Sequence, residues 1–262
     1  MTPETSRLAS ELLELAQSVA IEAGDLLMQR PSHFDLREKS VAIDFATQMD
    51  EKAEAFIVES ILRTRPDDGI IGEEGASRPS SSGITWVIDP LDGTVNYFYG
   101  LPGWNVSIAA RDDQGSLVGV VAAPTINSRW HAVRGQGAFH NGQKIGCTSN
   151  VSLDRALLGT GFAYDVADRV EQIAMVASLL PRTRDIRRMG SAAVDLCHVG
   201  MGALDGYFEH GLKEWDWAAG ALVATEAGAR VAHLGDGPRK LTVAAGPGLF
   251  QVLQEALAGV TS

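Results

Sequence analysis

Apolar residues near the start of the chain recur every three or four positions. Leu8, Leu12, Leu15, Val19, Ala23, Leu26 and Leu27 predict an amphipathic helix over residues 8–28. A second helix is predicted over 51–62, with Phe56 and Ile57 facing inward, and the polar segment 33–42 between them has no period and reads as a loop. The pattern then shortens to apolar runs bounded by turn residues: 69–72, 84–89, 105–111, 117–123 and 129–133. Asp112–Gly115 reads as a hairpin turn, and 135–142 is rich in turn residues. Consecutive strands of this kind predict a largely antiparallel sheet. After about Gly146, helical stretches at 168–180, 191–201 and 215–227 alternate with strands at 184–188, 206–209 and 230–233, and a last helix covers 249–257. That order is α/β (α+β). It predicts an antiparallel sheet in the N-terminal half and a mixed sheet in the C-terminal half, in two subdomains over 1–145 and 146–262.

Composition narrows the function. The chain has 262 residues, enough for a large core, and 45% of them are hydrophobic. No apolar run approaches the ~20 residues of a membrane span. The first fifteen residues are polar and acidic, unlike a signal peptide. Cys147 and Cys197 form no Cys-x-x-Cys pair and read as reduced thiols, so a cytoplasmic protein is expected. Lys and Arg number 22 against 33 Asp and Glu, a net charge of −11, which argues against a nucleic-acid partner. A negative protein acting on a negative substrate needs cations to reverse the local field.

The acids cluster. Asp44 and Asp50 bracket one segment, Gly72-Glu73-Glu74 forms a second, and Asp89-Pro90-Leu91-Asp92-Gly93-Thr94 a third; Trp215-Asp216 lies far downstream. Taken singly, Asp50 could cap a helix, Gly-Glu-Glu could be a polar turn, and Asp216 could be a cap or a surface acid. The third cluster is more specific. Asp89 follows a buried strand, Pro90 is expected to stop the ladder, and Asp92-Gly93-Thr94 offers a turn into a helix start. Two carboxylates three residues apart repel unless a cation lies between them, and oxygen-only donors favour magnesium or manganese over zinc. Helix-start amides at Gly93 and Thr94 would face an anion. A metal beside an anion suits phosphate-ester hydrolysis. The arginine position of a Cys-x5-Arg signature after Cys147 is Leu153, so no cysteinyl phosphoenzyme is implied. The six histidines show no metal-ligand spacing, though His210 could touch a substrate.

These segments resemble the inositol monophosphatase family. Asp-Pro-Leu-Asp-Gly-Thr at 89–94, with Asn96-Tyr97, is similar to its first signature. Trp215-Asp216-Trp217-Ala218-Ala219-Gly220, continuing to Glu226-Ala227-Gly228, is similar to its second. Segments 135–142 and 188–193 match in order between them. The resemblance implies a layered αβαβα sandwich of the sugar-phosphatase type and a lithium-sensitive, Mg2+-dependent phosphatase that works as a homodimer. It implies two or three ions per site, with Mn2+ a substitute. Glu73, Asp89 and the Leu91 carbonyl would bind the first, Asp89, Asp92 and Asp216 would share the second, and a weaker third would lie near Glu73. Asp50, Glu73 and Thr94 would be catalytic, Asp50 and Thr94 orienting the attacking water. Asp92, Gly93, Thr94, Ala192, Glu209 and Asp216 would contact substrate, Glu209 through polyol hydroxyls. The substrate implied is a small phosphate monoester, inositol 1-phosphate first. Lys213 and Glu214 depart from the family's commonest pattern and are expected to place charges beside the substrate wall. Glu74 is expected in a supporting or surface position, Lys39 beside the phosphate, and 33–42 as a flap that orders with metal. Same-fold phosphatases for histidinol phosphate, fructose 1,6-bisphosphate or phosphoadenosine phosphate are the alternatives. For the latter two, Arg182, Arg184, Arg187 and Arg188 could hold a second phosphate. A non-catalytic or moonlighting RNA- or polymerase-binding protein is the alternative of another class.

Overall fold

The computed structural model describes residues 2–39, 43–237 and 239–258. Among them the helices are α1 (Pro3–Met28), α2 (Gln48–Thr64), α3 (Thr94–Tyr99), α4 (Val166–Leu179), α5 (Ala192–Gly200), α6 (Glu214–Glu226) and α7 (Pro247–Ala258). Helix α1 begins five residues before the first periodic leucine. Thr2 caps it by accepting from the Thr5 amide at 3.2 Å, and Pro3 occupies the first turn, where its missing N–H costs nothing. Helix α2 opens with a capping box: the Met49 amide donates to Thr47 Oγ1 at 3.1 Å and the Thr47 amide donates to Asp50 Oδ2 at 2.8 Å.

An eight-stranded sheet is built from 69–144, in the spatial order 143–144, 137–140, 128–133, 115–123, 105–112, 85–92, 69–72, 77–78. Its pairs are antiparallel except 69–72 with 85–92, which run parallel. A five-stranded mixed sheet follows in the order 185–187, 157–160, 206–210, 241–245, 230–234. Side-chain alternation explains the stacking. Trp86 and Ile88 face α1 and α2, joined by Leu12, Leu27, Ile57 and Ile61. Val87 on the other face meets Ala193, Val194, Ala219 and Val223 of α5 and α6. Those helices are buried on both sides, because Leu196, Val199 and Ala224 pack onto Tyr207 and Ala244 of the small sheet. Phe208 and Val243 point the opposite way, onto α4 and α7. The result is the expected αβαβα sandwich. Helix α6 is accordingly apolar all round, as a helix between two sheets must be.

The structure departs from the sequence reading in several places. Residues 36–38 pair antiparallel with 45–47, so part of the loop expected at 33–42 is a short ribbon; 40–42 lie outside the described residues. Strands at 157–160 and 241–245 were not foreseen. The turn-rich stretch at 135–142 contains a strand, Gly137–His140. Pro90 does not end its strand, which runs over Thr85–Asp92. Asp89 pairs with Ser107 and Asp92 with Asn105, three steps on one strand against two on its partner. That is a β-bulge, where a proline without an amide proton is tolerated. The bulge has a chemical consequence: residues three apart on a regular strand face opposite ways, and the extra residue returns Asp92 to the side of Asp89.

Candidate active site

A cavity of about 440 Å3 opens at the end of strand 85–92 and is lined by Glu73, Asp89, Leu91, Asp92 and Asp216 among others. Glu73 extends the parallel ladder, its amide donating to the Ile88 carbonyl at 3.2 Å. Asp89 is buried, and its Oδ1 accepts from the Leu91 amide at 3.1 Å. Asp92 faces the start of α5: its Oδ2 accepts from the Ser191 hydroxyl at 2.5 Å, the Ala193 amide at 3.0 Å and Asn105 Nδ2 at 3.3 Å. A helix N-terminus favours such a charge. Asp216 is a helix cap as well as a wall residue, since its Oδ2 accepts from the Lys213 amide at 2.6 Å.

Burial and mutual repulsion push these acids up together. Asp89 lies well above the ordinary carboxylate range through burial and then the charges of Glu73, Asp92 and Asp216. Asp216 is raised in the same way by burial and Glu73, and Asp92 by burial against its hydrogen-bond donors. Glu73 is raised by burial, with Lys39 opposing. Lys39 Nζ stands 2.8 Å from Glu73 Oε1 and 2.6 Å from Glu74 Oε1. Among the described residues no three His, Cys, Asp or Glu side chains are already gathered as a coordination shell. The donor set nevertheless fits a hard divalent cation: four carboxylates and a carbonyl, oxygen only, held at high electrostatic cost.

Thr94 Oγ1 lies 3.0 Å from Asp50 Oδ1 and 3.1 Å from the Leu91 carbonyl oxygen, and its single proton serves one of them at a time. Asp50 is fully buried behind Thr94 and reaches the cavity only through that hydroxyl. Its Oδ2 also accepts from the Thr47 hydroxyl at 2.7 Å. Burial raises Asp50 to about 6, against the hydrogen bonds from Thr47. Gly93 turns the chain into α3 at φ 88°, and a Cβ there would meet the Gly190 carbonyl at 3.3 Å. Gly93, Thr94, Ala192 and Glu209 all line the cavity. Tyr207 donates its hydroxyl to Glu209 Oε2, and burial raises Glu209 to about 7.

The inositol monophosphatase family model matches residues 8–259. The chain belongs to that family. It is 43% identical to "Inositol-1-monophosphatase" of Mycobacterium leprae, over 85% of this chain and 81% of that one. It is 40% identical to "Nus factor SuhB" of Escherichia coli, over 86% of each. The solved structure of extragenic suppressor protein suhB from Bartonella henselae superposes with a TM-score of 0.88 at 29% identity, covering 94% of this chain and 98% of that one.

Within this family member, some neighbours of the acids differ from expectation. Glu214 does not line the cavity; it turns away to Arg111, 3.0 Å off, leaving Lys213 alone on the wall. Of the two positions expected for Glu74, the structure gives the supporting one: its side chain is 2% exposed and paired with Arg37 and Lys39. Of the four arginines considered for a second phosphate, Arg184 donates to the Arg155 carbonyl at 2.8 Å and Arg187 pairs with Asp185 at 2.5 Å, while Arg188 alone reaches the cavity. Asn105, Tyr164, Gly161 and Asp195 were missed. Asp195 carried a signal: it is a lone acid inside the apolar run Ala192-Ala193-Val194-Asp195-Leu196-Cys197.

Proposed function

We propose that this chain is a magnesium-dependent phosphomonoesterase whose leading substrate is inositol 1-phosphate. The observation that carries the proposal is the convergence of Glu73, Asp89, Asp92 and Asp216 on one cavity beside Thr94. Glu73, Asp89, Asp92, Asp216 and the Leu91 carbonyl would hold Mg2+ or Mn2+, two or three ions per site, whose chemistry when bound is to neutralise phosphoryl charge and make water acidic at neutral pH. Thr94 donates to Asp50, which leaves its oxygen lone pairs free to accept a proton from a water in the cavity. Asp50, raised to about 6, is a base matched to neutral pH at the far end of that chain. Glu209 offers a carboxylate to the hydroxyls of the leaving polyol, while Gly93 and Ala192 supply close backbone around the phosphate.

Reach of a single arginine, Arg188, favours a monoester over a bisphosphate. The substrate test is phosphate release from inositol 1-phosphate, fructose 1,6-bisphosphate, histidinol phosphate and phosphoadenosine phosphate. Inositol 1-phosphate should give the highest kcat/KM; a clear preference for any other ester would displace that assignment. Lithium inhibition, with potassium as control, and a homodimer on sedimentation belong to the same reading. A second reading, in which the chain also serves a binding partner, draws support from relatives that bear the name Nus factor. An active-site variant that loses turnover but retains a cellular phenotype would favour it.

A further inference from the structure

Helix α2 carries two buried acids one turn apart, on the same face. Asp50 reaches the cavity through Thr94. Glu54, 6% exposed, has no task in the mechanism above. Its Oε2 accepts from the Glu74 amide and its Oε1 from the Ala76 amide, both at 2.9 Å. Both oxygens are spent on the turn that follows strand 69–72, and that turn carries Glu73. The Gly72 amide closes the turn on the Ala76 carbonyl at 2.8 Å.

The approach is close enough to dictate a residue. A Cβ at Gly72 would lie 2.2 Å from Glu54 Oε2 and 2.7 Å from its Cδ. Gly72 does not adopt a left-handed φ, so what this glycine supplies is the missing side chain. Glu73 is thereby fixed from two directions. Its own amide is bonded to Ile88 of strand 85–92, and the next amide in the chain is bonded to Glu54. It needs that support, because its charge is pressed against those of Asp89 and Asp216.

We propose that Glu54 is a positioning residue for metal binding: by clamping the amides of Glu74 and Ala76 it holds Glu73 in the cavity against its neighbouring acids, and so sets the affinity of the site for a divalent cation. This rests on the metal-dependent reading of the site. Glu54 does not line the cavity and acts only through the turn. Groups that orient a ligand from behind change metal affinity about 10–100-fold when altered.

The test titrates Mn2+ into the full chain without substrate, by calorimetry, for the unaltered protein, Glu54→Gln, Gly72→Ala and Glu226→Gln. Glu54→Gln keeps one acceptor oxygen and sets an NH2 group against the other amide. Gly72→Ala keeps the charge of Glu54 and drives its carboxylate off the turn. Glu226 is the control: it accepts from the Gly135 and Gly137 amides at 2.7 and 2.9 Å, the same kind of clamp, on a turn that does not line the cavity. The Kd for Mn2+ should rise about tenfold or more in Glu54→Gln and in Gly72→Ala, and stay unchanged in Glu226→Gln. Unchanged affinity in either of the first two, or an equal loss in the control, would overturn the proposal and leave the phosphatase reading standing. If thermal melts in chelator show neither of the first two variants folded, the clamp serves the fold and the proposal is likewise overturned. If the unaltered chain binds no Mn2+, the metal-dependent reading fails and this inference falls with it.

Discussion

Gly161 is the position where a single methyl group reports on how the substrate is held. An alanine Cβ there would come within 2.0 Å of Glu209 Oε2 and 2.3 Å of its Cδ. The carboxylate would have to swing away and give up the Tyr207 hydroxyl. A hydrogen bond to a charged group contributes about 1.5–3 kcal/mol. Gly161 does not adopt a left-handed φ, so alanine gives back about 0.4–1 kcal/mol by restricting the unfolded chain. The net loss is about 1–2 kcal/mol, a fall in Tm of about 2–8 °C at this chain length. The displaced carboxylate would also miss the substrate hydroxyl, which lowers kcat/KM for inositol 1-phosphate by about 10–150-fold. A thermal melt and a phosphate-release assay on inositol 1-phosphate and phenyl phosphate measure both effects. The loss for the polyol ester should exceed that for phenyl phosphate by at least about tenfold. An unchanged substrate ratio would refute the assignment of Glu209 to hydroxyl binding.

Two further outcomes follow from the electrostatics. Asp92→Asn should lower turnover by on the order of a hundredfold or more, because it removes charge from the transition-state environment. In chelator its Tm should hold or rise, since an amide oxygen still accepts from Ser191 and Ala193 while acid repulsion falls; a melt far below that of the unaltered chain would contradict this. Burial raises Glu209 from 4.5 to about 7, so the cost of its charge is absent below about pH 4.5 and fully present above about pH 7. Glu209→Gln in chelator should therefore gain on the order of 1–3 kcal/mol at pH 8, allowing for screening on the cavity side, and little near pH 4.5. A gain independent of pH would count against a buried charge at Glu209.

Much of this was legible in the sequence because the acids sit at places that local rules mark: strand ends, a tight turn and a helix start. Asp89 and Asp92 were found that way, the family resemblance added Glu73 and Asp216, and the structure brings all four to one cavity. The bulge at 89–92 was not legible, since proline reads as a stop unless the partner strand's register is known. The strand at 241–245 was missed because Leu-Thr-Val-Ala-Ala is short and lacks alternation; both its faces are buried, one under α7 and one under α5 and α6. Glu214 was misplaced because sequence adjacency to Lys213 says nothing about which way a helix start turns its side chains. Asp195 was marked in the sequence only as a lone acid in an apolar run. An acid in a helix ordinarily faces water, and only the packing of α5 between two sheets makes this one buried.

In the proposed function the carboxylates serve a metal-dependent hydrolysis. Phosphate release from inositol 1-phosphate by the full chain, measured in magnesium and again in excess EDTA, addresses it most directly. Turnover should be clear in magnesium, vanish in EDTA and return when magnesium is restored. Full turnover in EDTA, or none in magnesium for inositol 1-phosphate or any other phosphate monoester tried, would contradict it.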